Sequence, residues 1–424
     1  MRMRVDENGN WRSFRHRNYR ILFPANAVSN IGSWAQRIAQ DWLVLELTNN
    51  NGYYLGLVTA IQFAPFLFFT LHGGLLADRV NKRIALVITN TFGGLSALTL
   101  GILVISGNIQ LWHVFACAAV LGISGAIDGP IRQSFTSEIV GHSDLANAVS
   151  LNSANFNAGR LVGPAISGFL IAHYGTGPSF IINATSYIGV NIALLSMRES
   201  EFFIAESKKT LGTIREGFAY VKARPDLYVV MIAVFFAATF GLNFQIFNAL
   251  MARGEFNKGA ASFGLLGTFI AVGSLSGALL SARLEKQRNT MFVIRMGAVF
   301  SLVVTGLSIM PTYTLYAIWL PICGFTALTM LITANSLMQM HSDPAIRGRI
   351  TGIYMLVFMG GTPFGSLAIG WLVEIIGVRE TVALCGGISL IGMLAIWFYY
   401  KDKVGVPTDI TVEGVLPANY EDPR

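Results

Sequence analysis

The chain has 424 residues, of which 53% are hydrophobic and only 12% are charged, and its formal net charge is +7. A mean hydropathy of +0.55 excludes an ordinary soluble domain, in which about 25% of residues are charged. The pI near 9.4 is typical of proteins that bind nucleic acid. Here the basic residues lie beside long apolar stretches, so we assign their charge to membrane orientation and expect no nucleic-acid partner.

Twelve apolar stretches follow one another along the chain, each close to the roughly 20 residues that cross the hydrocarbon core of a bilayer. We therefore predict an all-α polytopic membrane protein. The predicted spans are 19–46, 53–76, 84–107, 111–132, 146–172, 177–197, 227–251, 262–283, 290–310, 314–338, 350–375 and 380–400. The Arg-rich start precedes a stretch that is too long for a cleaved signal peptide, so we expect it to remain as the first span.

The basic residues are sorted between the gaps that separate these spans. Twenty-five of the thirty Lys and Arg residues fall in alternate gaps, beginning with the N-terminal segment. Positively charged loops stay on the cytoplasmic side of a membrane. The sequence therefore predicts a multi-pass protein of the plasma or inner membrane with both termini in the cytoplasm.

The two halves of the chain repeat one plan at an offset of roughly 202 to 209 residues. Two parallel six-helix halves are the arrangement that builds alternating access around a midplane site. The matched pairs are Gly32-x-x-x-Gln36 with Gly241-x-x-x-Gln245, Gly56 with Gly264, Arg79 with Arg283, and Gly168 to Gly175 with Gly370 to Gly377. The predicted order is an N-terminal segment 1–18, a bundle 19–197, a linker 198–226, a second pseudo-symmetric bundle 227–400 and a disordered tail 401–424.

The linker contains an amphipathic pattern. Its apolar residues recur at helical spacing and are Leu211, Ile214, Phe218 and Val221. Basic residues fill the other positions, Arg224 among them, and Pro225 ends the run. We interpret the segment as a helix on the inner leaflet that spaces the two halves, with a regulatory role as the alternative.

Polar residues inside the first span share one helical face. Asn26, Asn30, Arg37 and Asp41 all fall on it, with Arg37 and Asp41 four residues apart. Lipid would penalise that face by roughly 2.5–3.5 kcal/mol for a central charge, so it must meet protein or a wet cavity. Asp41 is the candidate proton carrier, because burial away from water favours the neutral form of a carboxyl group.

Other spans add polar groups to this candidate pathway. Arg160 lies near the middle of the fifth span, where it either serves an acid or a cavity, or packs against backbone carbonyls. The seventh span adds the neutral hydrogen-bonding side chains of Asn243, Gln245 and Asn248.

After the second span the chain reads Gly74-Leu-Leu-Ala-Asp78-Arg79-Val-Asn-Lys82-Arg83. This run resembles the G-x-x-x-D-R-x-G-R-K signature of the major facilitator superfamily, with Asn81 in place of the second glycine. The resemblance implies a cytoplasmic gate, and an acid at the inner end of span four joins it in that family. The gate residues here would be Gly74, Asp78, Arg79, Lys82, Arg83 and Asp128. In the alternative interpretation these charges only orient the loop.

A second motif lies in the fifth span. Gly159-x-x-x-Gly163-Pro164-x-x-x-Gly168 resembles a pattern of exporters in the same superfamily. Glycines four residues apart let helices approach closely, and the proline permits a bend. With the stretches Arg17 to Phe23 and Ser29 to Trp34, the chain is similar to the third drug:proton antiporter family, which includes macrolide and siderophore exporters.

The sequence lacks a phosphate-binding loop, a nucleophile elbow and metal-ligand spacing, so we predict a transporter and not an enzyme, without cofactor or metal. An ion gradient would supply the energy. The leading hypothesis is a monomeric, proton-coupled exporter of small amphipathic molecules with lipid as its other partner. The alternatives are an importer or uniporter of a nutrient on the same fold and, more remotely, a membrane sensor that does not transport.

Overall fold

The computed structural model describes residues 9, 11–77, 80–203, 214–283, 289–343 and 346–403. Asp78, Arg79, the start of the predicted linker helix and the tail from residue 404 lie outside the described residues. Within the described ranges the chain is helical and has no strand. The α-helices are α1 (Arg17–Leu47), α2 (Gly52–Ala77), α3 (Lys82–Ile105), α4 (Leu111–Tyr174), α5 (Gly177–Leu195), α6 (Ile214–Ala223), α7 (Pro225–Phe236), α8 (Phe244–Leu250), α9 (Ala260–Arg283), α10 (Thr290–Ser308), α11 (Tyr313–Met340), α12 (Arg347–Gly360), α13 (Thr362–Ile376) and α14 (Val378–Tyr400).

The helices account for the predicted membrane crossings. Ten segments of the described chain are long and apolar enough to span a bilayer. One of them, α4, has 64 residues, about 96 Å of helix, and Gly141 divides it with a non-helical φ of +69°. Helix α1, with 31 residues and the polar face, is not among the ten. Counting α1 and counting α4 twice gives twelve crossings, so the predicted all-α, twelve-helix class is confirmed.

The chain forms two compact units. The first comprises Met1–Asn50, Phe68–Lys209 and Lys258–Thr268, and the second comprises Asn51–Leu67, Thr210–Asn257 and Phe269–Arg424. Helices α2 and α9 therefore each contribute one end to either unit. In the first unit α1 packs on α4 and α5, and α3 packs on α4 and α5. In the second unit α10 packs between α11 and α14.

The seventh and eleventh spans are interrupted within the second unit. Helix α7 is followed by a π-helical turn, Ala237–Gly241, then by α8 and a second π-helical turn, Met251–Glu255. The break between α12 and α13 places Gly361 and Gly365 directly against Thr239 of the first π-helical turn. Side chains at these two glycines would overlap with Thr239, so the close approach depends on their absence. Single π-helical turns within α-helices occur frequently at functional sites.

The linker helix α6 is held against α12 by polar and apolar contacts. Arg349 donates to Glu216 at 3.0 Å, and the outward-facing Phe218 remains half-exposed. Arg224 is not part of a solvated basic face as the pattern predicted, because it is buried and donates twice to Asp226 at 2.9 and 3.0 Å. Burial opposes the guanidinium charge, but the bonds and the charge of Asp226 outweigh it and raise the pKa of Arg224.

Candidate functional site

A polar cavity of about 300 Å³ lies inside the first unit. Its walls come from α1, α3, α4 and α5, and most of the side chains that face it carry oxygen or nitrogen. The polar residues are Tyr19, Asn26, Ser29, Asn30, Ser33, Thr89, Asn90, Ser124, Asp128, Arg132, Thr136, Asn152, Asn155 and Tyr187. Polar side chains of membrane helices turn toward the protein interior or a cavity, so this cavity is a candidate solute site with both polar and apolar walls.

Asp128 and Arg132, one turn apart on α4, form a bidentate ion pair in this cavity. The Nε and Nη2 atoms of Arg132 lie 2.6 and 2.8 Å from the two carboxylate oxygens of Asp128. Thr89 donates to Asp128 at 3.0 Å, and Arg132 donates to the side-chain oxygen of Asn26 at 2.9 Å. Both carboxylate oxygens therefore have donors, which offsets much of the desolvation penalty of the two charges.

The predicted end of the fourth span at residue 132 is wrong. Helix α4 continues to Val140, and the 12 residues after Asp128 correspond to about 18 Å of helix. Asp128 therefore lies within the helix rather than at its inner end, and its ion-pair partner is Arg132. Arg132 was the last residue of the predicted fourth span, whereas the structure places it inside α4 and in the cavity wall.

The basic residues that begin α3 find their partners inside the first unit. Lys82 forms an ion pair with Glu138 near the end of the first segment of α4, and Arg83 contacts Glu199 at 2.7 Å. Arg83 also donates to two carbonyls at the end of α5. Glu138 is thus an acidic residue of α4 that contacts Lys82 of the predicted gate. Gly74 lies on α2.

The polar face of α1 separates into two parts. Asn26 and Asn30 line the cavity, whereas Asp41 lies about 16 Å further along the helix than Asn30 and is not among the lining residues. Asp41 is 4% exposed, and its Oδ2 atom has no hydrogen-bond partner among the described residues. Arg37, one turn earlier, attracts it electrostatically. The second part of the face is therefore a buried carboxyl group with an arginine one turn away.

Arg37 and Arg160 meet around one indole ring. The guanidinium carbon of Arg37 is 5.7 Å from the ring centre of Trp34, and that of Arg160 is 5.9 Å from it. Cation–π contacts of this kind stabilise guanidinium groups in a dry environment. The structure therefore brings Arg160 from α4 to the charged part of α1. Neither arginine lines the 300 Å³ cavity.

The polar residues of the seventh span lie in the second unit and make local bonds. Asn243 donates to the carbonyl of Thr239 at 2.8 Å, and Asn248 accepts from the hydroxyl of Tyr316 at 3.0 Å. Gln245 is half-buried. Asn243 thus binds a carbonyl of the first π-helical turn.

The glycine motif of the fifth span packs α4 on α1. A side chain at Gly159 would lie 2.9 Å from the backbone of Asn30, and one at Gly163 would lie 2.6 Å from the Cβ of Trp34. Separations this short cannot accommodate a Cβ without movement of the partner helix. Pro164 lies within α4 directly after the second contact. The motif therefore sets the distance between the two helices that carry the candidate polar residues.

The last glycine of the motif serves a different helix. Gly168, together with the carbonyl of Pro164, contacts α9 at Gly264. Gly361 and Gly365 are the counterparts of Gly159 and Gly163 in the second half, and they pack against the seventh span. The packing function of the motif is therefore duplicated, although the sequence signature is clear only in the first half.

Several cavity residues were not predicted from the sequence. They include Arg132, Thr89, Asn90 and Tyr187. The four-residue spacing of Asp128 and Arg132 was the one sequence signal for the ion pair, since it places both groups on one side of a helix. Thr89 and Asn90 gave no periodic pattern, and only the packing of α3 on α4 shows that they face the pair.

The chain matches the family described as "Transmembrane secretion effector" over residues 8–409. The protein belongs to this family. The relatives and structural neighbours of this transmembrane secretion effector are transporters of the major facilitator type, so the protein is a membrane transporter and not an enzyme.

Three relatives cover nearly the whole transporter. The "Staphyloferrin A transporter" of Staphylococcus aureus (strain NCTC 8325 / PS 47) is 22% identical over 93% of this chain and 99% of its own. The "Multidrug efflux pump Tap" of Mycolicibacterium fortuitum is 24% identical over 89% and 94%. The "Enterobactin exporter EntS" of Shigella flexneri is 22% identical over 89% and 91%.

A solved structure supports the fold of the transporter. The bacterial homologue of the human lysosomal transporter Spinster, in its inward-facing and unoccupied conformation, superposes with a TM-score of 0.71. Its sequence is 15% identical, and the match covers 91% of this chain and 98% of that one. At this identity the likeness concerns the fold alone.

Proposed function

We propose that this transporter is a proton-coupled exporter of small amphipathic molecules that works by alternating access. The observation that carries the proposal is the polar cavity of the first unit, with the Asp128–Arg132 pair in its wall. The names of the relatives, two siderophore transporters and a multidrug efflux pump, support a small solute and outward transport.

In this proposal the cavity binds the polar part of the solute. Arg132 already donates to Asn26, so an acceptor group of the solute can replace that amide without leaving the guanidinium unsatisfied. Asn30 of α1 and Asn90 of α3 supply further amide groups to the cavity wall. Asp128 remains paired with Arg132 and lowers the net charge of the site.

Asp41 is the proposed proton carrier. Asp41 is buried beside Arg37. Protonation of Asp41 therefore changes the net charge of the two side chains from zero to plus one. Arg160 adds a second cation to the same part of α1 through Trp34. Binding a proton at Asp41 would free Arg37 to attract an anionic group. The seventh span repeats the first span in the second half of the chain. It supplies the corresponding polar groups, Asn243, Gln245 and Asn248.

We further propose that two six-helix bundles, 19–197 and 227–400, carry out the transport as a monomer with both termini in the cytoplasm. The charge sorting between the spans supports this orientation. The cytoplasmic gate then comprises Gly74, Asp78, Arg79, Lys82 and Arg83. Among the described contacts, Lys82 and Arg83 pair with Glu138 and Glu199 of the same unit, which fixes the start of α3 within that unit.

Transport into inside-out membrane vesicles tests the proposal. Vesicles with an acidic interior should accumulate a solute from a panel of macrolides, fluorescent cationic dyes and carboxylate- or catechol-type chelators. A protonophore should abolish the accumulation, and vesicles without the protein provide the baseline. Loss of preloaded solute on acidification of the lumen would support the importer, and accumulation that resists the protonophore would refute proton coupling.

A further inference from the structure

Two pairs of glycines bring helix backbones together in this protein. In the second unit, a Cβ at Gly56 of α2 would lie 3.1 Å from the Cα of Gly370 of α13, and the reverse distance is also 3.1 Å. In the first unit, a Cβ at Gly168 of α4 would lie 3.1 Å from the Cα of Gly264 of α9. Small residues at such crossings allow direct backbone contact.

The two crossings are images of each other under the internal repeat. Gly56 of the first half corresponds to Gly264 of the second half, and Gly168 corresponds to Gly370. Each contact therefore joins one position of the first half to the partner position of the second half, as in an interface with two-fold symmetry. All four glycines lie near helix ends.

A carboxylate is present at only one of the two crossings. Glu374, one turn after Gly370, accepts a hydrogen bond from the backbone N–H of Gly52 at 2.6 Å and one from the Asn51 side chain at 3.4 Å. At the other crossing the position one turn after Gly168 is Ala172. Its methyl group accepts no hydrogen bond, so the symmetry of the backbone contacts is not matched by symmetry of the side chains.

Gly52 is the first residue of α2, and its N–H has no acceptor within the helix. A carboxylate at that position receives the free N–H and also interacts favourably with the positive end of the helix. We propose that Glu374 is a positioning residue that fastens the start of α2 to the end of α13 and slows the opening of this crossing. The inference rests on the proposed function, because it assumes that these crossings open during transport.

Each crossing has its own polar contact. At the α4–α9 crossing the hydroxyl of Thr268 donates to the carbonyl of Leu161 at 3.0 Å, and at the α2–α13 crossing Glu374 accepts from Gly52. Opening of the α2–α13 crossing therefore breaks the bond between Gly52 and Glu374. A carbonyl oxygen at position 374 would retain part of the effect, since it still accepts from Gly52, but it would lose the charge that favours the helix end.

Labelling of a buried cysteine in the full-length protein, reconstituted in lipid nanodiscs, tests the proposal. Ser366→Cys reports the α2–α13 crossing, because Ser366 is buried beside Gly56. Its rate of reaction with a membrane-impermeant maleimide should rise about fivefold with Glu374→Ala, as expected for loss of a helix cap, and less with Glu374→Gln. Equal rates for Ala, Gln and wild type at position 374 would overturn the proposal.

The repeat supplies a gain-of-function control. Ala260→Cys reports the α4–α9 crossing, since the carbonyl of Ala260 contacts Gly168. Ala172→Glu should slow labelling there about fivefold, while Ala172→Leu, which adds bulk without an acceptor, should leave it near the wild-type rate. If Ala172→Glu and Ala172→Leu give the same labelling rate, a carboxylate at this position does not hold the crossing closed.

The labelling does not require a known solute, so it is independent of the vesicle assay. If proton-driven accumulation fails but the labelling differences are present, the proposed function is refuted and the role of Glu374 still stands. If accumulation is normal but the labelling differences are absent, the role of Glu374 is refuted and the proposed function still stands. Each variant is compared at equal yield of monodisperse protein.

Discussion

Replacement of Arg132 by glutamine gives the sharpest test of the cavity. The substitution removes the bidentate contact with Asp128 and the bond to Asn26, and it leaves a carboxylate at membrane depth with Thr89 as its remaining donor. Arg132→Gln should therefore lower both the stability and the transport rate. The matched variants are Asp128→Asn and the double substitution, in which neither charge remains.

The magnitude follows from the exposure of the pair. Loss of one partner of a fully buried ion pair costs about 3–5 kcal/mol. The side chains of Arg132 and Asp128 are 29% and 20% exposed, so water partly solvates the charge that remains after one partner is removed. We expect about 2 kcal/mol for Arg132→Gln and about 1 kcal/mol for the double variant, because neutral amides can satisfy each other.

Unfolding of the purified protein in detergent, followed by helical signal, measures these free energies, and vesicle accumulation measures transport. The double variant should recover stability but not transport, because the cavity has lost its cation. Free energies of the single variants that simply add in the double variant would show that the pair is not coupled. Full transport by the double variant would remove Arg132 from the solute pathway.

Three further outcomes are expected. Gly163→Val should destabilise the protein by about 2 kcal/mol, because its Cβ would lie 2.6 Å from the neighbouring helix, while Gly189→Val, where that space is open, should stay near wild type in thermal unfolding. Asp41→Asn should abolish pH-driven accumulation but retain solute exchange, and wild-type pH dependence would assign the proton to another acid. Glu138→Lys should slow turnover through repulsion with Lys82, and the added exchange Lys82→Glu should restore it; no restoration would argue against a direct pair.

The sequence alone identified the polar face of α1 because helical spacing is a local property. It could not show that this face divides between a cavity and a buried carboxyl group. That division depends on α3 and α4, which bring Thr89 and Asp128 to Asn26 but leave Asp41 enclosed. The error at Asp128 has the same origin, because hydropathy falls at a polar residue whether the helix ends there or faces a cavity.

Length, hydropathy and the repeat determined the all-α class and the twelve crossings, because a chain in lipid must satisfy its backbone within helices. Tertiary structure decided which charged residues meet. Lys82 and Glu138 are 56 residues apart, and Gly52 and Glu374 are 322 apart. No local pattern encodes such pairs, since each depends on how two helices cross, and the crossings are set by the glycines that allow backbones to touch.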